Sequence, residues 1–308
     1  MKEVLGISLG DSERDFEATV EWLGETVHIR RQGTDGDLRR YVELLEANDG
    51  KVDAIGFGGF DLWLWCSGRK YAWREPKHFL HKMKHTPVLD GSGLKNSLER
   101  STIYYLQEKG LADFKHSNTM LVCAVDRFGM AEAIWEQGGK VVYGDLMFGP
   151  GIPIPIRSLG GLRVLARIAL PIVVQLPIDW LYPTGSKQKQ IVPKHRKYYA
   201  WADIICGDNH FIRRYMPEQL TGKIIVTNTT TTKDVELFRA RGVRLLVTTT
   251  PSLGGRSPGT NIFEAAIVAA LGKDPATLTI ADYEDALQRI GWEPTLTDLT
   301  VPAEGTPT

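Results

Sequence analysis

The sequence has little cysteine, no excess of charge of either sign and no long hydrophobic run. Its three cysteines, Cys66, Cys123 and Cys206, are scattered and form no C-x-x-C pair. This spacing excludes a disulfide framework and a cysteine-built zinc site, and no metal site is predicted. The N-terminal MKEVLGISLGDSERD also lacks the apolar stretch of a secretory signal. We therefore expect a cytoplasmic protein.

Charge is balanced, with 37 basic and 37 acidic residues. No field of one sign attracts nucleic acid, so we predict no nucleic-acid partner. The one strongly apolar segment, residues 151–182, is interrupted by Arg157, Arg163 and Arg167. Its uncharged part is shorter than the about 20 residues that cross a bilayer, so no membrane span is predicted. We interpret the segment as a buried helix or a lid; a helix lying on a membrane surface is the alternative.

Short β-branched runs alternate with longer runs of helical periodicity, a pattern typical of βαβ units and a parallel sheet. Strands are predicted at residues 3–9, 26–30, 52–57, 87–89, 119–125, 140–145, 202–208, 223–228 and 244–250. Helices are predicted at residues 12–23, 37–47, 94–109, 234–241, 261–271 and 280–290. The fold class is therefore α/β, with two doubly wound domains, the C-terminal one Rossmann-type with a mostly parallel sheet.

A polar stretch, residues 113–118, is interpreted as the domain boundary. Residues 1–116 then form an N-terminal α/β substrate-binding domain. Residues 117–275 form a Rossmann-type nucleotide-binding domain with the apolar segment 151–182 as an insertion, and residues 276–308 form a C-terminal helix and tail.

The segment VDRFGMAEA is the candidate cofactor-binding turn, because it joins a predicted strand to a helix whose N-terminus faces a bound pyrophosphate. Asp145 ends the next strand, sixteen residues past Gly129. A carboxylate there binds ribose hydroxyls and favours NAD over NADP. Only Gly129 stands where G-x-G-x-x-G is expected, so a domain that binds something other than NAD stays open. The candidate cofactor-binding residues of this part are Asp126, Arg127, Phe128, Gly129, Met130 and Asp145.

A second candidate anion-binding turn is TTTPSLGGRSPGTNIFEAA, where a threonine-rich strand end leads through glycines into a helix. Arg256 adds positive charge to that helix N-terminus. The candidate residues of this turn are Thr250, Gly255, Arg256 and Thr260.

The back half resembles the NAD(P) domains of the shikimate/quinate dehydrogenase and methylenetetrahydrofolate dehydrogenase superfamily. In that superfamily, ADII-type and KIIVTN-type strands precede a TP-x-x-GG-x-x-P-x-T loop, matched here by residues 202–205, 223–228 and 250–260. The whole chain is similar to an uncharacterised bacterial group labelled quinate 5-dehydrogenase. The stretches that carry this resemblance are GTDGDL, DGSGLKNSLER, DRFGMAEA, YGDLMFG, LYPTGSKQ and GTNIFEA.

The resemblance implies a front domain that holds the substrate, and a lysine–aspartate pair that moves the proton. Lys95 and Asp90 are the candidates for that pair, although Lys95 also fits a solvated or phosphate-pairing lysine. His210 follows the strand ADIICGD and is a candidate acid–base residue or a helix cap. Arg213 beside it indicates an anionic ligand.

Two further loops, GTDGD and GFGGFD, follow predicted parallel strands, where open α/β sheets bind ligands. Their carboxylates, Asp35, Asp37 and Asp61, are candidates for substrate hydroxyls, with turn formation as the alternative explanation.

The function that these features favour is an NAD(P)-dependent dehydrogenase, with NAD or NADP as cofactor. It moves a hydride to or from a small hydroxylated, anionic, quinate- or shikimate-like substrate, and the chain is compatible with a homodimer. One alternative is an α/β transferase or lyase that binds a nucleotide or sugar phosphate, and another is a non-catalytic ligand sensor. The missing glycines favour the alternatives, whereas the loop at residues 250–260 and Asp145 favour the dehydrogenase.

Overall fold

A computed structural model describes residues 1–59, 61–176, 190–251 and 257–300, which form two compact units. The first unit takes its described residues from Met1–Leu98, Ala166–Gly185 and Leu253–Trp292. The second unit takes its described residues from Glu99–Leu165, Ser186–Ser252 and Glu293–Thr308. The chain first passes from one unit to the other between Leu98 and Glu99, whereas the boundary predicted from the sequence lies at residue 116.

The strands and helices alternate along much of the chain. The strands are β1 (Lys2–Ser8), β2 (Glu17–Trp22), β3 (Glu25–Gly33), β4 (Ala54–Gly58), β5 (Trp63–Cys66), β6 (Arg69–Ala72), β7 (Val88–Leu89), β8 (Asn118–Leu121), β9 (Lys140–Tyr143), β10 (Ile204–Cys206), β11 (Ile224–Thr227), β12 (Leu245–Thr248) and β13 (Thr295–Asp298). The helices are α1 (Leu38–Asn48), α2 (Lys77–Leu80), α3 (Ser92–Glu108), α4 (Phe128–Glu136), α5 (Asp145–Phe148), α6 (Leu159–Val173), α7 (Arg196–Trp201), α8 (Asn209–Tyr215), α9 (Thr232–Ala240), α10 (Thr260–Leu271) and α11 (Ile280–Arg289).

The first unit is built on a sheet of order β2-β3-β1-β4-β7, parallel except for β2. Helix α10 packs on β1, β3 and β4, with Ile262 and Phe263 in one core with Val4 and Ile29. Residues 262–270 of α10 are all buried. A helix that is apolar on every side needs cover all round, which explains why this late segment joins the first unit.

The second unit is built on a sheet of order β13-β12-β11-β10-β8-β9, parallel except for β13, which runs antiparallel to β12. Counted from β8 as the first parallel strand, the order is 2-1-3-4-5. Met120, Ile205 and Ile225 of neighbouring strands share a core with Phe238 of α9. The predicted α/β class with two parallel-dominated sheets is confirmed.

The predicted helix at residues 12–23 is wrong. Ser12–Arg14 is a single 3-10 turn, and β2 follows it, pairing antiparallel with β3 so that Thr19 lies opposite His28. The segment EATVEW alternates exposed and half-buried residues, the period of a strand with one face on the core. Pairing with β3 therefore overrides the helical spacing of Phe16, Val20 and Leu23. The sequence analysis also has no counterpart for β13.

Helix α6 lies in the segment interpreted as a buried helix or a lid. Leu162, Ala166 and Leu170 are buried, but Ile168 and Ile172 on the other side are exposed. The buried-helix interpretation is therefore right for one face only. Residues 177–182 of the predicted insertion lie outside the described residues. Within the described part of the chain, no helix has the length and apolar character needed to cross a membrane.

Candidate functional site

The candidate site lies in the second unit, at the carboxyl ends of β8 and β10. The chain leaves β8 toward β9 on one side and leaves β10 toward β11 on the other side. Such a reversal opens a crevice between the two strand ends, which is where open α/β sheets bind ligands. The loops that follow the two strands, residues 122–127 and 207–208, carry the polar side chains described next.

Arg127, next to the first turn of α4, is the central cation of this edge. Its guanidinium pairs with the Glu99 carboxylate, and both side chains are 2% exposed. A second ion pair joins Arg127 Nη2 to Asp208 Oδ2 at 3.1 Å. Burial lowers the pKa of Arg127, but the facing carboxylates outweigh it and raise the pKa. The guanidinium is thus committed to carboxylates of its own unit, whereas the sequence analysis assigns it to a cofactor phosphate.

Asp208 ties the ends of β8, β10 and β11 together. Its Oδ2 also accepts a hydrogen bond from Asn228 Nδ2 at 3.2 Å. Its Oδ1 accepts the backbone N–H of His210 at 2.8 Å and so caps α8. The backbone N–H of Asn209 in turn donates to Asn228 Oδ1. Sequence reasoning missed Asp208 and Asn228, although both end predicted strands at the ligand-binding edge.

Asp145, which follows β9, is placed differently from its predicted role on a ribose. Its carboxylate accepts the backbone N–H groups of Val125 at 2.8 Å and Ala124 at 3.2 Å. Burial raises its pKa to about 6, against the lowering effect of these two amides. The amides belong to the turn that must face a pyrophosphate in a dinucleotide site. Asp145 occupies them with a negative charge.

The edge is acidic around Cys123, a half-buried side chain just after β8. Burial raises the pKa of this thiol well above its usual value, and Asp145, Asp208 and Asp126 add to the rise. Three carboxylates therefore lie within electrostatic reach of one side chain, with Arg127 as their opposing charge. Such an edge repels a phosphate and favours ligands without negative charge.

Several other residues of the two candidate turns are buried. Phe128, Gly129 and Met130 are buried in the first turn of α4. Thr250 is fully buried, and its hydroxyl donates to the Asn228 carbonyl at 3.3 Å, joining the ends of β11 and β12. Gly255 and Arg256 lie outside the described residues. Thr260 is the first residue of α10, in the first unit.

The predicted catalytic pair is not formed in the first unit. The Asp90 carboxylate accepts backbone N–H groups from Leu62, Trp63 and Ser92 and so holds the chain before β5 and at the start of α3. Lys95 Nζ lies 3.9 Å from Asp61 Oδ1. Asp90 therefore has a structural role that explains its position without any chemistry. The third candidate, His210, is exposed and belongs to the second unit.

The other candidate substrate residues support turns, caps and ion pairs. Asp35 has a φ of 53° and accepts the backbone N–H of Ser12. Asp37 caps α1 by accepting the backbone N–H of Arg40. Arg213 pairs with Asp234 at 2.7 Å. The alternative explanation from the sequence, turn formation, therefore accounts for both aspartates of GTDGD.

Glu264 is a buried acid that the sequence analysis missed. It lies in α10 and is 2% exposed. One carboxylate oxygen accepts the backbone N–H of Gly91 at 2.7 Å, and the other accepts the Tyr283 hydroxyl at 2.8 Å. Burial, with a smaller contribution from Asp90, raises its pKa to about 7. The signal was available, because Glu264 is the one acid within the apolar helix TNIFEAAIVAAL.

Glu264 makes the stability of the first unit depend on pH. Its pKa is about 7 in the fold against a usual 4.5, so the folded state holds the proton between these values. The free energy of unfolding should therefore fall as pH rises from about 4.5 to 7, by up to about 3 kcal/mol from this group. Glu264→Gln should remove that slope, since an amide can accept from Gly91 and donate to the Tyr283 oxygen.

Urea denaturation of wild type and Glu264→Gln at a series of pH values measures the difference directly. Glu236→Gln is the matched control, because the Glu236 side chain is 54% exposed and its loss should leave the slope unchanged. Parallel pH profiles for wild type and Glu264→Gln would contradict the prediction.

Two family models together match most of the chain. One, described as Domain of unknown function (DUF8754), matches residues 93–299, and the other, Domain of unknown function (DUF8753), matches residues 3–90. No curated protein matches the chain.

Several solved structures are similar to the chain at low identity. A glucose-galactose binding protein from Geobacillus stearothermophilus gives a TM-score of 0.39 at 10% identity, covering 97% of this chain and 98% of that one. A periplasmic ribose ABC transporter from Conexibacter woesei gives 0.39 at 13% identity, with 97% and 92% covered. A bifunctional 5,10-methylenetetrahydrofolate dehydrogenase/cyclohydrolase from Thermoplasma acidophilum gives 0.33 at 10% identity, with 88% and 89% covered.

These findings correct the functional predictions. The resemblance to a quinate 5-dehydrogenase group is corrected: the matching family models are described as domains of unknown function, and the similar solved structures are mainly described as sugar-binding proteins. The predicted NAD(P)-dependent enzyme is corrected with it. The commitments of Arg127 and Asp145 to groups of their own unit agree with that correction. Against the expected cytoplasmic location stands one finding: similar transporter proteins are described as periplasmic.

Proposed function

The chain belongs to the family described as Domain of unknown function (DUF8754), and we propose that it is a non-catalytic protein that binds a small, uncharged, hydroxyl-rich molecule. The ligand lies at the carboxyl ends of β8 and β10 in the second unit. This function corresponds to the non-catalytic ligand sensor of the sequence analysis. Its neutral ligand differs from the anionic substrate expected there for a dehydrogenase.

One observation carries the proposal: the strand ends are surrounded by three acids, Asp126, Asp145 and Asp208. The one cation among them, Arg127, is already paired with the carboxylates of Glu99 and Asp208. Carboxylates accept hydrogen bonds from hydroxyl groups, and a sugar or polyol presents several on neighbouring carbons. Asn228, whose amide group bonds Asp208 and the backbone N–H of Asn209, fixes the position of the Asp208 carboxylate. A phosphate or carboxylate ligand meets three like charges here, which disfavours it.

Two predicted acids are bound by backbone amides, which supports binding without chemistry. In the described residues, Asp90 is held by three backbone amides and Asp145 by two. A general base needs access to the proton that it removes. Of the acids at the strand ends, Asp126 and Asp208 remain partly exposed. Because Asp208 is held by Arg127, Asn228 and the His210 amide, Asp126 is the residue that we assign to the ligand.

Isothermal titration with neutral sugars and polyols tests the proposal, with glucose, galactose, ribose and allose as the first probes and a sugar phosphate and NAD as anionic probes. We expect a neutral sugar or polyol to bind, to be recovered unchanged by mass spectrometry, and to raise the melting temperature. Asp126→Asn should weaken this binding about tenfold, the effect of losing one charge-assisted hydrogen bond.

Asp113→Asn is the matched control in the same unit, because the Asp113 carboxylate is 55% exposed and caps a surface turn at His116. If the two variants bind the sugar with equal affinity, the ligand does not bind at the strand ends. Binding of the sugar phosphate or NAD in preference to every neutral probe would overturn the proposal altogether.

A further inference from the structure

Helix α6 exposes an apolar stripe. Residues four apart share a helix face, and Val164, Ile168 and Ile172 are 60%, 66% and 64% exposed. The opposite face is also apolar, and it is buried through Leu159, Leu162, Ala166 and Leu170. An aliphatic stripe as exposed as this one is typical of an interaction surface rather than of an ordinary surface helix.

The same helix carries positive charge beside the stripe. Arg163 and Arg167 directly precede Val164 and Ile168, and both arginines are exposed. Arg163 contacts Glu132 at 2.9 Å yet keeps 48% of its side chain exposed. Across residues 146–178 the sequence has three arginines and no Asp or Glu. The exposed face of α6 is thus both apolar and cationic.

We propose that this face docks on an anionic membrane surface. The three aliphatic side chains enter the boundary between headgroups and acyl chains, and the arginines contact the lipid phosphates. The charge of this face favours a membrane over a second copy of this chain. Two copies paired about a two-fold axis would bring two cationic faces together, and these would repel each other. An anionic bilayer supplies the opposite charge together with an apolar layer for the stripe. The docking is peripheral, with the helix lying along the surface.

Cosedimentation of the full chain with vesicles tests the proposal. We expect binding to vesicles of phosphatidylcholine mixed with phosphatidylserine, weakened by salt, and little binding to phosphatidylcholine alone. Ile168→Gln with Ile172→Gln should lower the partition coefficient at least about tenfold, since membrane affinity scales with buried apolar area. Arg167→Gln should weaken binding to the anionic vesicles and remove part of the salt dependence.

Ile280→Gln is the matched control, because Ile280 is a 45% exposed isoleucine at the start of another helix. All these variants should have the melting temperature of the wild type, measured by circular dichroism, because none of the substitutions changes a buried residue. Three results would each overturn the proposal. They are absence of vesicle binding, equal binding by the double variant and Ile280→Gln, and self-association of the wild type that the double variant abolishes.

Discussion

Arg127→Met should destabilise the second unit by about 3–5 kcal/mol, the cost of removing one partner of a buried ion pair. The change leaves the Glu99 carboxylate, 2% exposed, without the cation that faces it. It also removes the cation that pairs with Asp208, and the other hydrogen bonds of Asp208 hold the ends of β10 and β11. Methionine fills similar volume, so the loss reports the charge rather than a cavity. Denaturant unfolding monitored by circular dichroism measures it.

Two further variants separate this effect from a general sensitivity to arginine loss. Arg196→Met breaks an ion pair whose side chains are 64% and 65% exposed, and it should cost less than about 1 kcal/mol. Adding Glu99→Gln to Arg127→Met removes the uncompensated charge and should recover part of the stability. If Arg127→Met costs no more than Arg196→Met, the buried pair does not stabilise the unit.

The central strands β4, β10, β11 and β12 could be predicted from the sequence because they are buried on both faces. Segments such as KIIVTN and RLLVTTT are continuous β-branched and apolar runs, and both become parallel strands of the second unit. Strand β2 was missed because EATVEW lies at the edge of its sheet, where alternating burial gives a weaker pattern. The spacing of Phe16, Val20 and Leu23 fits a helix equally well, and only pairing with β3 decides between them.

The positions of Asp145 and Arg127 along the chain could be predicted from the sequence, whereas their bonding partners could not. Asp145 and Arg127 do lie near the ends of β9 and β8, as the strand pattern indicates. Their roles depend on partners that no local pattern reveals: Glu99, on a different helix, neutralises Arg127, and the amides of the turn itself bind Asp145. Motif spacing gives the position of a charged group along the chain. Whether that charge is available to a ligand depends on contacts between distant segments.

Alanine substitutions at Gly138 and Gly139 should also destabilise the second unit. The two glycines are needed for different reasons. Both follow α4, which ends at Glu136. Gly138 has a φ of +80° with nothing near its missing side chain, so Gly138→Ala should cost about 1 kcal/mol of backbone strain. At Gly139 an added Cβ would lie 1.9 Å from the Phe114 carbonyl oxygen, a backbone atom that cannot rotate away.

Gly139→Ala should therefore cost more than about 3 kcal/mol, beyond the usual range of overpacking, or leave the second unit unfolded. The substitution forces β9, which begins at the next residue, away from the chain at Phe114. Gly160→Ala, in α6 with no atom near its added Cβ, is the matched control and should be neutral or slightly stabilising. Circular dichroism and denaturant unfolding of the three alanine variants rank them. If the Gly139→Ala protein is as stable as Gly138→Ala, the backbone at Phe114 moves to accommodate the added Cβ. The contact between Gly139 and the Phe114 carbonyl oxygen then does not fix the start of β9.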